Sequence, residues 1–199
     1  MDYFSPFFIL ASLAGIIQLV GYWVYVRVNT NTVNCGSWLI WTLSAVVDLV
    51  SYVYVTDSNW PKNILPAACA LACVCTFLYL LLRGKFNMPD KSEWAMVTGD
   101  TLISVAWWQN ILSVVGANLM LQASTLFAAI PMIRGLIKGK EHEDVRPWLL
   151  WASAYLCHTA AVAIDLTKWY ELAYPLANLA TAVAVLIVIR HTTKKRPEY

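Results

Sequence analysis

The chain has 199 residues, of which 59% are hydrophobic and only 13% charged, with a formal net charge of +2. A soluble domain keeps roughly a quarter of its residues charged, so most of this surface must meet something other than water. The small net charge, clustered at the ends of apolar runs, reads as membrane topology and not as a nucleic-acid footprint.

In chain order, apolar runs long enough for a helix to cross roughly 30 Å of hydrocarbon lie at about 6–27, 37–56, 63–82, 94–113, 116–134, 147–166 and 172–190. A closed β-barrel, the other way to cross a bilayer, needs alternating apolar and polar residues. The run Ala180–Ile189 has no such alternation. The expected fold is therefore all-α and integral to the membrane, with seven spans. The first span lacks a basic leader and a small-residue cleavage site, so it reads as a retained helix. Residues 94–133 form one apolar stretch, and Gly116 and Asn118 are the turn-like residues near its middle. A tight turn is expected there.

Lysine and arginine set the orientation. With the N-terminus outside, the inner segments carry Arg27; Arg83, Lys85 and Lys91; Arg134, Lys138, Lys140 and Arg146; and Arg190, Lys194, Lys195 and Arg196. The outer loops carry only Lys62 and Lys168, a division of the 14 basic residues into 12 and 2. The C-terminus is then cytoplasmic, with a basic tail. The five cysteines (Cys35, Cys69, Cys73, Cys75 and Cys157) show no zinc spacing and read as small apolar residues.

The chain repeats itself. Trp38-Leu39-Ile40-Trp41 opens the second span and Trp148-Leu149-Leu150-Trp151 the sixth, an offset of 110. Trp60, Pro66, Ala68 and Val74 match Trp169, Pro175, Ala177 and Val183 at an offset of 109. An interfacial aromatic belt explains single Trp residues but not a shared proline and loop length. Spans 1–3 and 5–7 are thus two copies, and span 4 is the extra crossing that restores the orientation of an odd-numbered unit. The copies are expected to be parallel, about an axis along the membrane normal. Residues 1–92 form the first three-helix repeat, 93–114 a linker helix, and 115–199 the second repeat with its basic tail.

On these residues the chain resembles the SWEET sugar transporters and the wider PQ-loop superfamily, which share a three-plus-one-plus-three plan. Trp148-Leu149-Leu150-Trp151 and Tyr174-Pro175-Leu176-Ala177-Asn178 are similar to the family's second- and third-helix patterns. The resemblance implies a substrate-facing role for Asn178, with Cys69 at the matching place in the first repeat. The chain has no Pro-Gln dipeptide; Pro131-Met132 comes nearest, with Gly21-Tyr22 as its repeat partner. The resemblance also implies proline hinges, here Pro66, Pro131 and Pro175.

Ionisable residues at membrane depth mark functional sites by default. Asp48 lies mid-way along span 2, and an offset of 110 leads to His158 in span 6. Helical spacing adds Trp41, Ser44, Ser51 and Tyr52 to the first and Trp151, Tyr155 and Asp165 to the second. Span 7 adds Asn178 and Thr181, span 1 Gln18, and span 5 Asn118 and Gln122. The substrate-binding set is Asp48, His158, Asn178, Trp41, Trp151, Ser51, Tyr155 and Cys69. Each also has a plain structural reading as a packed or hydrogen-bonded group. Asp165 reads as solvated. On span 4, Asp100 and Trp107 share a face and read as packing contacts.

No Gly-rich phosphate loop, catalytic triad or metal-ligand cluster stands out, so neither enzyme nor cofactor nor metal is expected. A retinal protein needs a lysine in its last helix, and span 7 has none. The reading is a facilitative or proton-linked alternating-access transporter of a small polar, sugar-like or nucleoside-like metabolite. Its partners are that solute and the bilayer, not nucleic acid, and a homo-oligomer is compatible with the sequence. PnuC-type vitamin carriers are an alternative on a similar plan. A non-transporting receptor, as KDEL receptors are on a related fold, is the alternative of another class.

Overall fold

The computed structural model describes residues 5–28, 35–83, 91–139 and 142–193. They form seven α-helices: α1 (Pro6–Val28), α2 (Cys35–Val55), α3 (Trp60–Leu82), α4 (Lys91–Trp108), α5 (Val114–Ile137), α6 (Val145–Ile164) and α7 (Ala173–Thr193), with a 3₁₀ turn at Trp169–Leu172 before α7. All except α4 are long and apolar enough to cross a membrane. Their apolar side chains point outward: Ile16, Leu71, Phe127 and Leu156 are 60–63% exposed. Gln18, Asp48, Ser51, Asn118, Gln122 and His158 are buried instead. Polar groups inside and apolar groups outside is the arrangement hydrocarbon demands, and the protein is an all-α, multi-pass membrane protein.

Helix ends follow local chemistry. Between α2 and α3, Asp57 and Ser58 take left-handed backbone conformations (φ of 51° and 59°), and Pro61 starts α3 where a missing N–H costs nothing. Pro66 therefore lies inside α3 and does not initiate it. Asp144 caps α6, accepting from the Arg146 backbone N–H at 2.8 Å and from its guanidinium at 2.8–2.9 Å, which holds the Asp144 carboxyl below its ordinary range. The expected turn at Gly116 and Asn118 is corrected. The chain reverses at 109–113, where Asn110 supplies the left-handed residue (φ 58°) and Ser113 caps α5. Gly116 donates its N–H to that cap at 3.1 Å, and Asn118 is buried inside α5.

The two triplets pack alike. α1 touches α3 and α6; α5 touches α7 and α2; α3 meets α2 as α7 meets α6. Exchanging the triplets leaves these neighbours unchanged. Directions agree as well. Tyr25 bonds Glu143 and Gln18 bonds Tyr155, so α1 and α6 are antiparallel. Ser51 bonds Asn118 and Asp48 bonds Gln122, so α2 and α5 are antiparallel. Gly15 abuts Ile64 and Tyr22 meets Cys69 and Cys73, so α1 and α3 run together. Thr42 bonds the Cys73 carbonyl and Asn63 bonds Thr56, so α2 opposes α3. It follows that α5 runs with α1 and α6 with α2, the geometry of a two-fold axis along the helices.

The fourth helix lies outside this pair. Its 18 residues reach about 27 Å at 1.5 Å each. It runs alongside α2, with Asp100 at Ser44 and Trp107 against Tyr54, and also packs on α5. Asp100 and Trp107 thus make the packing contacts expected of them. At one end of the bundle, Arg27 stacks over Trp23 and Arg83 over Tyr79; this is the basic end.

Candidate functional site

Between the triplets lies a partly open cavity of about 70 Å³. A buried water needs roughly 10–15 Å³ of such space, so several waters or a small solute fit. It runs from mid-depth, where Gln18, Asp48, Tyr155 and Tyr174 line it, to the basic end at Trp38, Glu143 and Trp148. Every helix but α4 contributes a wall.

Small residues make room for the aromatic wall. A Cβ on Gly21 would lie 2.6 Å from the Trp151 indole nitrogen, so only glycine lets that ring seat against α1. Trp151 stacks on Tyr25 (5.5 Å between centroids) and meets Trp148 edge-on at 4.9 Å. Trp41 meets Trp148 edge-on at 6.0 Å. Glu143 accepts from the Tyr25 hydroxyl at 3.0 Å and the Trp148 indole at 3.2 Å, tying α1 to α6 at the mouth.

The cavity walls hold unmet hydrogen bonds. Gln18 Oε1, the Trp151 indole N–H and the Thr181 hydroxyl are buried without a protein partner. An unpaired buried polar group costs about 1–3 kcal/mol, and all three residues stand on the cavity wall. The Asp48 carboxylate accepts from Gln122 Nε2 at 2.9 Å. Asn178 donates to the Tyr174 carbonyl of its own helix at 2.9 Å. The Tyr22 hydroxyl lies 3.2 Å from the Cys69 sulfur and 2.9 Å from that of Cys73.

Of the residues expected to bind substrate, Asp48, Asn178, Trp41, Trp151, Tyr155 and Cys69 line the cavity. Two do not line it. Ser51 turns away to donate to the Asp48 carbonyl at 3.1 Å and accept from Asn118 at 2.9 Å. His158 is fully buried with neither ring nitrogen partnered, packed against Tyr52 and Tyr174. Asp48 lines the cavity, whereas its repeat mate at the same depth is packed behind Tyr52 and Tyr174. Pro66 and Pro131 sit inside α3 and α5, and Pro175 in the first turn of α7. Cys69 and Cys73 are polar cavity groups in contact with a tyrosine, not merely small apolar residues.

Sequence reasoning missed Tyr22, Tyr25, Cys73, Glu143 and Tyr174 on the walls, and it missed the seal above them. Beyond Asp48, Tyr52, Leu65, His158 and Val162 are at most 2% exposed. Over this layer Lys62, itself 1% exposed, bonds Glu171 at 2.8 Å and the Asp165 carbonyl at 2.6 Å. The Asp165 carboxylate lies 3.3 Å from the same ammonium and accepts from Asn59. Thr167 donates to Glu171 through its hydroxyl, and Tyr52 donates to the Glu171 carbonyl at 2.8 Å. Lys62 is thus no solvated loop residue, and Asp165 is partnered. Outside the seal, Lys168 bonds Asp57 at 2.6 Å, which holds its ammonium above the ordinary range. The missed signal was the repeat: Lys62 and Glu171 are themselves mates at an offset of 109.

Comparison with family models, with curated proteins and with solved structures finds no match to this chain.

Proposed function

We propose that this chain is an alternating-access transporter of a small polar metabolite, its N-terminus outside and its basic end cytoplasmic. One observation carries the reading: a cavity between two like triplets reaches the basic end and is sealed at the other by an ion cluster that joins the triplets. Lys62 belongs to the first triplet and Glu171 and Asp165 to the second. Such a cluster is made when the cavity faces the basic end and must part when it faces the other way. The shape is that of one half of a transport cycle.

The unpaired groups on the walls support a solute site, and the division of basic residues supports the orientation. Rocking of one triplet against the other, with Pro66, Pro131 and Pro175 as bending points where a backbone donor is missing, is also what the resemblance to SWEET transporters implies. Counterflow in proteoliposomes tests the proposal. A carrier accelerates exchange of labelled solute in a saturable way, and breaking the Lys62 cluster changes the rate. Binding without any solute movement would make the chain a receptor and refute transport.

A further inference from the structure

We infer that Asp48 anchors a positively charged substrate, a small organic ammonium ion, and that a proton takes the place of this ion when the substrate leaves. The inference rests on the transport reading and names its substrate class. It starts from an imbalance of charge. The Asp48 carboxyl group is 97% buried at mid-depth, and one helical turn before it Ser44 bonds another acid, Asp100 of α4. Asp100 is as deeply buried, accepts from the Ser44 hydroxyl at 2.5 Å, and leaves its second oxygen unpartnered.

The other helices bring no counter-charge. Facing Asp48, α3 presents the Cys69 thiol, α7 the Tyr174 phenol, and α5 the neutral Gln122 and Thr125. On the remaining walls α1 offers Gln18 and Tyr22, α6 offers Tyr155, and the mouth carries Glu143, a further acid. No Lys, Arg or His lines the cavity among the described residues. A carboxylate desolvated beside a second acid needs a positive species, and the described residues bring none to the cavity. In the empty site that species is a proton.

The rest of the cavity is built for a cation with an organic body. The rings of Trp41, Trp148, Trp151, Tyr155 and Tyr174 line it, and aromatic rings attract ammonium groups. Gln18 Oε1 is an acceptor without a donor, which an ammonium N–H supplies. Asn178 and Thr181 add neutral polar groups to the same wall. A neutral sugar satisfies these hydrogen bonds but not the charge, and an anion is repelled by both acids. The exchange balances: one monovalent cation enters, and one proton leaves Asp48 for water.

The test is equilibrium binding to purified full-length protein. The probes are methylammonium, choline and benzylammonium, each beside its uncharged carbon isostere, titrated across a range of pH. At least one cation should bind about tenfold or more tightly than its isostere. That preference should fall about tenfold per pH unit once the carboxylate is protonated. Asp48→Asn should erase both the preference and its pH dependence. Asp100→Asn, which leaves the anchor, should keep the preference and shift its pH dependence. Asp48→Ser, a smaller neutral side chain, should erase the preference as well, and it serves if Asp48→Asn does not fold. No preference for any of the cations, or a preference that survives Asp48→Asn, overturns the inference. Counterflow of neutral solutes without cation binding would sink this inference and keep transport. Cation binding through Asp48 without counterflow would do the reverse.

Discussion

Replacing Lys62 by Met leaves the Glu171 carboxylate, 1% exposed, without its cation. Removing one partner of a buried ion pair costs about 3–5 kcal/mol, most of it the penalty of the charge left behind. Glu171 keeps the Thr167 hydroxyl and the Thr167 N–H at 3.4 Å, so the lower end, about 3 kcal/mol, is expected. For a chain of this size that is a fall of about 6–12 °C in melting temperature. Part of the cost is recovered if the triplets part and water reaches Glu171, so the same change favours the outward-facing shape. An impermeant thiol reagent should then reach Cys69 from the side opposite the basic end, which it does not in the parent. The double variant Lys62→Met, Glu171→Leu replaces the pair by apolar groups and should be neutral or more stable by about 1–4 kcal/mol. Thermal unfolding of the two single variants and the double in detergent closes the cycle. A Lys62→Met protein that melts with the parent, or single effects that add to the double within about 0.5 kcal/mol, would refute the gate.

Gly21→Ala should cost about 1–3 kcal/mol by overpacking, since its Cβ meets the Trp151 ring at 2.6 Å; unfolding and solute binding should both suffer. Asn178→Ala should weaken solute binding by about 1–3 kcal/mol and leave the melting temperature nearly unchanged, because its amide bonds only its own helix; lower stability with unchanged affinity would make it a packing residue. His158→Leu should keep transport and hold or raise stability, since it removes two unpartnered ring nitrogens; loss of uptake in a stable variant would restore the histidine to the site. Lys140→Cys should resist an impermeant label added to intact cells, whereas a cysteine replacing Lys168 should react.

The helices were legible because each carries its own apolar run and the lipid imposes its length. The repeat was legible because tryptophan and proline recur at one offset. The end of α4 was not, since Trp107-Trp108-Gln109-Asn110-Ile111-Leu112 stays largely apolar through the turn. Asn110 breaks the helix by a left-handed backbone that asparagine tolerates at small cost, a property that hydropathy does not register. Asp48 was found because a charge at membrane depth is costly, Trp41 and Trp151 because helical spacing puts them on the stripes of Asp48 and His158, and Asn178 because the resemblance implies it. His158 was assigned to the cavity on symmetry alone. The two-fold keeps His158 at the depth of Asp48, but Tyr52 and Tyr174 pack over it, so a correct repeat relation still predicts the wrong surroundings. Lys62 and Glu171 were passed over because a charge at a span end is ordinarily solvated; only the packing of the two triplets shows that these ends close on each other.

The frame is symmetric and the chemistry on it is not. Trp41 and Trp151 occupy matching places and both face the cavity. Their neighbours diverge: Asp48 against His158, Cys69 against Asn178, Lys62 against Glu171. A cavity with two equal halves would hold a solute in two equivalent poses. Here the carboxylate stands on α2, the amide on α7 and the thiols on α3, so an unsymmetrical solute has one orientation. At the sealed end the divergence does different work. Two lysines or two glutamates meeting on the axis would repel, whereas a lysine and a glutamate weld the halves in one state. In the proposed transport cycle, equal helices would let the triplets move as matched bodies, and unequal side chains at matched positions would decide which state is held and what the cavity admits.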